Sequence, residues 1–184
     1  MTNVGYRWSE PAVRAADIAS LARTPILVGE IVLDRPPEWL DSRHISDGLS
    51  PREVLGHFIH GERKDWIPRI QQILESGEDH PFQPFDVLGG NQISHEWSAG
   101  RLVQEFAGLR RANLGKLEQL QITDHDLGRT GLHPKFGRVT LGHLLATWVA
   151  HDLYHLGAIF KSFSAQFRES IGPWQELLNL PHFN

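Results

Sequence analysis

The 184-residue chain predicts an all-α bundle folded as one domain spanning residues 1–184, and three observations carry that prediction. Apolar residues recur at helical spacing through most of its length, helix start signals of Ser or Thr precede those stretches, and alternating strand patterns are nearly absent. Composition agrees: 40% hydrophobic and 22% charged residues is ordinary globular usage and excludes a disordered chain.

The elements follow in order. Thr24 before Pro25 reads as an N-cap with proline at the first helical position, opening PILVGEIVL to about Asp34, with Pro36 and Pro37 as the stop. Ser50-Pro51-Arg52-Glu53 carries a capping box and starts a second helix through Val54, Leu55, Phe58, Ile59 and Trp66 to about Glu75, where Gly77 ends it. Pro68 should kink this helix by removing one backbone donor. The segment HPFQPFDVLGGN reads as an ordered loop that keeps Phe82, Phe85 and Leu88 out of water.

Ser94 is the candidate cap of a third helix with Trp97, Leu102, Phe106, Leu109, Leu114, Leu117 and Leu120 on its apolar face. Gly100, Gly108 and Gly115 each weaken it by about 1 kcal/mol against alanine, a cost that close helix approach would explain. After the turn-rich TDHDLGRTGLHPKFGR, Thr140 caps a fourth, most apolar helix holding Leu141, Leu144, Leu145, Trp148, Leu153, Leu156, Ile159 and Phe163. A break at Gly172-Pro173 precedes WQELLNL, expected to dock as a short amphipathic tail on the four main helices.

Charge and residue usage restrict the function. The net charge is −4 with His neutral, and Lys and Arg are scattered, so the basic stripe that nucleic acid requires is missing. With no Cys the chain has no disulfide, thiolate metal site or cysteine nucleophile, and any thiol chemistry must use an external thiol. The N-terminal stretch lacks a secretory pattern and no apolar run approaches the roughly 20 residues of a membrane span, which leads us to expect a cytoplasmic protein without a membrane partner.

Chemistry concentrates in TLGHLLATWVAHDLYHLGAIFK. His151 and His155, four apart on one helix, share a face and can point at a common ion. Eleven histidines in this length give about half such a pair by chance, so the spacing needs a third ligand from another helix. On the second helix His57 and His60 are the candidates. His57 lies among Val54, Phe58 and Gly61, whereas charged residues follow His60, which favours His57 over His60; the alternative for His57 is a buried histidine bonded to a backbone carbonyl. His143 is rotated off the His151 face and reads as a first-turn surface or supporting residue, while His44, His80, His95, His125, His133 and His182 fall in loops or at helix ends.

Together, LSPREVLGHFIHGERKDWIPRI, GEDHPFQPFD, TGLHPKFGRVTLGHLLATWVAHDLYHLGAI and FRESIGPWQELLNL resemble the DinB/YfiT-like superfamily, over about Leu21 to Leu180. The resemblance implies a four-helix up-down-down-up bundle, often dimeric, with a histidine triad for a divalent metal. Carried over, that triad is His57, His151 and His155. One position departs: relatives often carry Gln three residues after the last histidine, where this chain has Ala158.

Three imidazoles with open positions accept zinc, nickel, iron, manganese or cobalt and suit a catalytic site. Asp152 points about 100° away from His151, which makes it a supporting acceptor for His57 or a neighbouring helix, or, like Glu62, a salt-bridge partner of Arg63 or Arg110. Trp148 and Tyr154 are expected in the core or a helix interface, and Trp66 in the packing of the bundle. Three functions fit: a transferase joining a low-molecular-weight thiol to an electrophile, a metal-dependent hydrolase of a small molecule, and a non-catalytic metal or ligand-binding bundle.

Overall fold

The capping box foreseen at Ser50 forms and sets the start of the longest interrupted rod. In the computed structural model, which describes residues 11–43 and 48–178, helix α1 covers Pro11–Val32 and α2 Pro37–Asp41. Helix α3 (Pro51–Lys64) begins with the Ser50 side chain accepting from the Glu53 amide while Glu53 accepts from the Ser50 amide at 2.8 Å. It continues, after a break at Asp65, as α4 (Trp66–Glu75). The break falls one turn before Pro68, where a proline in a helix clashes with the carbonyl four residues back. Gly77, at φ 59, ends the rod as expected.

Two helix starts differ from the sequence reading. Helix α1 begins at Pro11, so Pro25 lies inside it and Thr24 is a buried mid-helix residue. Proline is tolerated there because the carbonyl its missing N–H would have served, that of Leu21, accepts instead from Arg110 Nη1 at 2.8 Å. Ser94 caps nothing: it is buried within the short α5 (Asn91–Glu96), and Ser98 accepts from the Arg101 amide to cap α6 (Ala99–Gln119). Nor does close packing explain Gly100, Gly108 and Gly115, which face open space. The close approach is between Gly56 of α3 and Gly90, where a Cβ on either would collide with the other's carbonyl.

The turn-rich segment contains a small antiparallel hairpin, β1 (Thr130–His133) with β2 (Gly137–Thr140), in register Thr130↔Thr140. Four-residue strands are too short to show a clear alternation. The hairpin anchors the Pro-rich loop, whose Phe82 amide donates to the Leu132 carbonyl at 2.8 Å. That loop is ordered with Phe82 buried, but Leu88 is exposed, contrary to expectation. Thr140 caps α7 (Leu141–Ala165) as foreseen, its hydroxyl accepting from the His143 amide. The tail forms a four-residue helix, α8 (Gln175–Leu178), with Trp174, Leu177 and Leu178 exposed, so the described part of it is not docked.

Contacts give the helix directions. Arg52 reaches the Trp97 carbonyl, Phe58 stacks on Phe106 and Glu62 meets Arg110, so α3 and α6 run parallel. His57 faces His155 while Trp66 stacks on Trp148, so α7 runs against them. Leu21 meets Arg110 and Gly29 meets Val103, so α1 opposes α6. The result is the up-down-down-up bundle. Its core has two apolar halves, one around Val28, Phe58, Phe106 and Ile159, the other around Leu21, Trp66, Ile70 and Trp148, and the buried polar residues Thr24, Glu62, Arg110, Asn113 and Asp152 fall between them along their helices. Among the described residues no helix is long and apolar enough to cross a membrane.

Candidate metal centre

The structure brings His57, His151 and His155 together. Each offers a ring nitrogen, and these atoms lie within 4.8 Å of one another; no other group of three or more His, Asp or Glu side chains among the described residues does so. His57 Nε2 and His151 Nε2 are 2.9 Å apart, and the ring centroids are separated by 5.0 Å (57–151), 4.7 Å (57–155) and 4.4 Å (151–155). Nitrogens bound to one cation at about 2.0–2.1 Å would be about 3.0–3.4 Å apart, so the spacing fits a common ion after small side-chain adjustments.

The electrostatics favour the ligand form. Burial, then the nearby His151, lowers the His57 pKa to about 4, with the Val87 carbonyl acting in the opposite sense. Burial, then His151 and His57, lowers His155 to about 3. Both rings are therefore neutral near pH 7, each with a lone pair to give. His57 Nδ1 and His151 Nδ1 are buried without a well-formed hydrogen bond, an expensive state for nitrogens of a purely structural cluster.

A cavity of about 490 Å³ opens on two of the three histidines, His57 and His155. Ala158 lines it one turn beyond His155, and Val87 and Leu88 of the Pro-rich loop form a wall. Tyr154, expected in the core, is instead 75% exposed and lines the cavity too. Leu153 is also exposed on α7, whereas Trp148 and Trp66 are buried and stacked at 5.5 Å, as expected. The contribution of residues 87–91 to this wall was not foreseen. Its sequence signal was Gly89-Gly90, where close backbone approach lets the loop lie on α3 at Gly56.

The other histidines stay apart. His60 packs against Phe85 and Gly89. His143 completes a cap, its Nδ1 accepting from the Thr140 amide at 3.3 Å. His133 Nδ1 accepts from the Lys135 amide at 3.1 Å within the hairpin turn, and His80, His95 and His125 are exposed. His44 and His182 lie outside the described residues.

Beside the triad is a buried ion cluster. Arg110 donates through Nη1 and Nη2 to Asp152 at 2.5 and 3.0 Å and through Nε to Glu62 at 2.9 Å. Asn113 and the Trp148 indole also donate to Glu62, at 3.0 and 3.2 Å. Of the two arginines considered, Arg110 takes both carboxylates, while Arg63 pairs with Glu105 at 2.7 Å. Burial pushes the Glu62 pKa up against the pull of Arg110. Burial acts the same way on Asp152, but His151, Arg110 and Thr24 outweigh it and hold that carboxyl below its usual range.

Comparison with known proteins speaks to the fold and the family. No curated protein matches the chain. Among solved structures, YfiT from Bacillus subtilis, described as "a probable metal-dependent hydrolase with an unusual four-helix bundle topology", superposes with a TM-score of 0.71 at 19% identity, covering 89% of this chain and 90% of that one. At that identity the likeness speaks for the fold. The model of the DinB superfamily matches residues 20–159, well over half of the sequence, and the chain belongs to that superfamily.

Proposed function

We propose that this protein is a divalent-metal enzyme acting on a small molecule, with His57, His151 and His155 as the metal ligands and the adjoining cavity as the substrate site. The observation that carries this reading is the convergence of three imidazoles, two of which, His57 and His155, are held neutral and line a 490 Å³ cavity. A volume of that size suits a small organic substrate. When bound, a divalent cation supplies Lewis acidity, lowering the pKa of a coordinated thiol or water toward neutrality.

The protein's own residues orient and shield. His57 and His155 present the reacting group to the cavity, Val87 and Leu88 limit water on one side, and Asn91 and Ser162 offer hydrogen bonds to a substrate. Among the described residues no carboxylate lines the cavity to serve as a general base. That favours transfer of a low-molecular-weight thiol, which, acidified by a bound cation, would release its proton to solvent, so that the thiolate forms a bond to an electrophilic carbon as the bond to the leaving group breaks. The hydrolase reading draws on the description of YfiT. We take the chain as a single cytoplasmic domain that forms a homodimer. The exposed Leu153 and Phe160, seven residues apart on α7, support dimerisation, which sedimentation analysis would test.

Elemental analysis of the purified protein beside His57→Ala and His151→Ala, with folding checked by circular dichroism, tests the centre. The expected result is about one ion per native chain and none in the folded variants, as for one three-ligand site. A native protein that stays empty after incubation with zinc, nickel, manganese and ferrous iron overturns it. With the loaded protein, turnover of a chromogenic electrophile that requires added thiol supports transfer, and thiol-independent turnover supports hydrolysis.

A further inference from the structure

We infer that Arg110 and Asp152 are positioning residues for His151: the guanidinium fixes Asp152 so that its Oδ1 serves the His151 Nδ1–H, leaving His151 Nε2 bare and aimed at the other two histidines. The inference deepens the metal-centre reading and rests on it for its consequence. Four observations carry it. His151 Nδ1 is buried and lacks a hydrogen-bond partner. The nearest acid to it is Asp152, whose Oδ1 lies 3.9 Å away. Asp152 cannot swing freely, because both of its oxygens already accept from Arg110, which is anchored in turn by Glu62 and the Leu21 carbonyl. Finally, Nε2 of His151 is 2.9 Å from Nε2 of His57, a distance at which one nitrogen must donate and the other accept.

The proton on that pair is decided by what each Nδ1 faces. An ionised carboxylate is the stronger acceptor, so it claims the His151 proton at Nδ1 and makes His151 Nε2 the accepting member of the pair. His57, whose Nδ1 has no well-formed partner, then carries its proton on Nε2 in the metal-free protein. A small approach, from 3.9 Å to about 3 Å, completes the Asp152 contact. Pro25 completes the device from a third helix. Its missing N–H frees the Leu21 carbonyl for Arg110, which ties α1 and α6 to the orientation of a ligand on α7.

Nitrogen-15 NMR of histidine-labelled native protein reads the tautomers directly. In the metal-free protein we expect His151 as the Nδ1–H form and His57 as the Nε2–H form, and an Nε2–H His151 overturns the inference whether or not any variant folds. Zinc affinity by chelator competition provides the second readout. Asp152→Asn is expected to weaken it by about 10- to 100-fold and to alter the visible spectrum of the cobalt-loaded protein. Glu62→Gln loosens one anchor of Arg110 but leaves the Arg110–Asp152 pair and the Leu21 carbonyl contact in place, so its zinc affinity should fall by clearly less than that of Asp152→Asn. Equal losses in both variants, or none in Asp152→Asn, overturn the positioning role. If native protein binds no zinc, the metal reading fails, while the tautomers of the metal-free protein still decide whether Asp152 orients His151.

Discussion

Two buried polar clusters lie side by side in this bundle and are built on opposite terms. Around Arg110, two carboxylates, an amide, an indole and a backbone carbonyl satisfy one another within 3.2 Å. Around His57, His151 and His155, two ring nitrogens lack a well-formed partner and two others crowd together at 2.9 Å. A fold has no reason to leave imidazoles so poorly served when it can complete an ion cluster next to them. The difference separates a structural hub from the proposed metal site.

The largest effect expected from this contrast is at the hub. Arg110→Met removes the only cation within hydrogen-bonding distance of Glu62 and Asp152 among the described residues and leaves two carboxylates buried, a loss of about 3–5 kcal/mol in urea denaturation. His57→Ala in the metal-free protein should cost far less, since it relieves the crowding at His151. Equal losses would erase the distinction between hub and site.

Ligand linkage sharpens it next. At zinc concentrations about 100 times the dissociation constant, native stability should rise by about 2.7 kcal/mol, measured as a shift of the urea midpoint. The same addition should leave His155→Ala unmoved, while a Glu62→Gln protein keeps most of the gain.

The hub and the triad were not equally legible from sequence. Spacing gave His151 and His155 a shared face, and the apolar neighbours of His57 set it above His60, because helical geometry converts sequence distance into direction. The hub depends on side chains brought from four helices, and no local pattern encodes such a meeting. Pro25 illustrates the limit. Its missing donor was read as a helix start, yet here it frees a carbonyl mid-helix for an arginine 85 residues away in sequence. The hairpin at Thr130–Thr140 escaped because four residues hold too few alternations, and the 87–91 wall of the cavity because glycine-mediated backbone contact leaves no side-chain pattern.

Acid distinguishes the clusters further. Below the unfolded histidine pKa of 6.5 an unfolded chain takes up protons that native His57 and His155 refuse until about pH 4 and 3. The stability they contribute is therefore complete above pH 6.5 and lost as the pH falls through that window, by up to about 1.4 kcal/mol per pH unit for each ring. Urea titrations of metal-free protein at pH 7 and pH 5 would show it, and the double variant His57→Ala with His155→Ala should flatten the slope. Without that flattening, the acid sensitivity belongs elsewhere.

Glycine gives the smallest and cleanest comparison between the site and the rest of the scaffold. At Gly108, on an exposed turn of α6, an added Cβ meets nothing within 4 Å and the backbone is helical, so Gly108→Ala should stabilise by up to about 1 kcal/mol and leave zinc binding unchanged. At Gly56 the same change sets a Cβ against the Gly90 carbonyl and 2.9 Å from Ser94 Cβ, and the loop must move away from α3. Because that loop carries Val87 beside His57 and one wall of the cavity, Gly56→Ala should reduce zinc affinity as well as stability. Chemical denaturation and chelator competition on the two variants test the pair together. A Gly56→Ala protein that loses stability but holds zinc normally would mean that the loop closes the cavity without orienting the ligand beneath it.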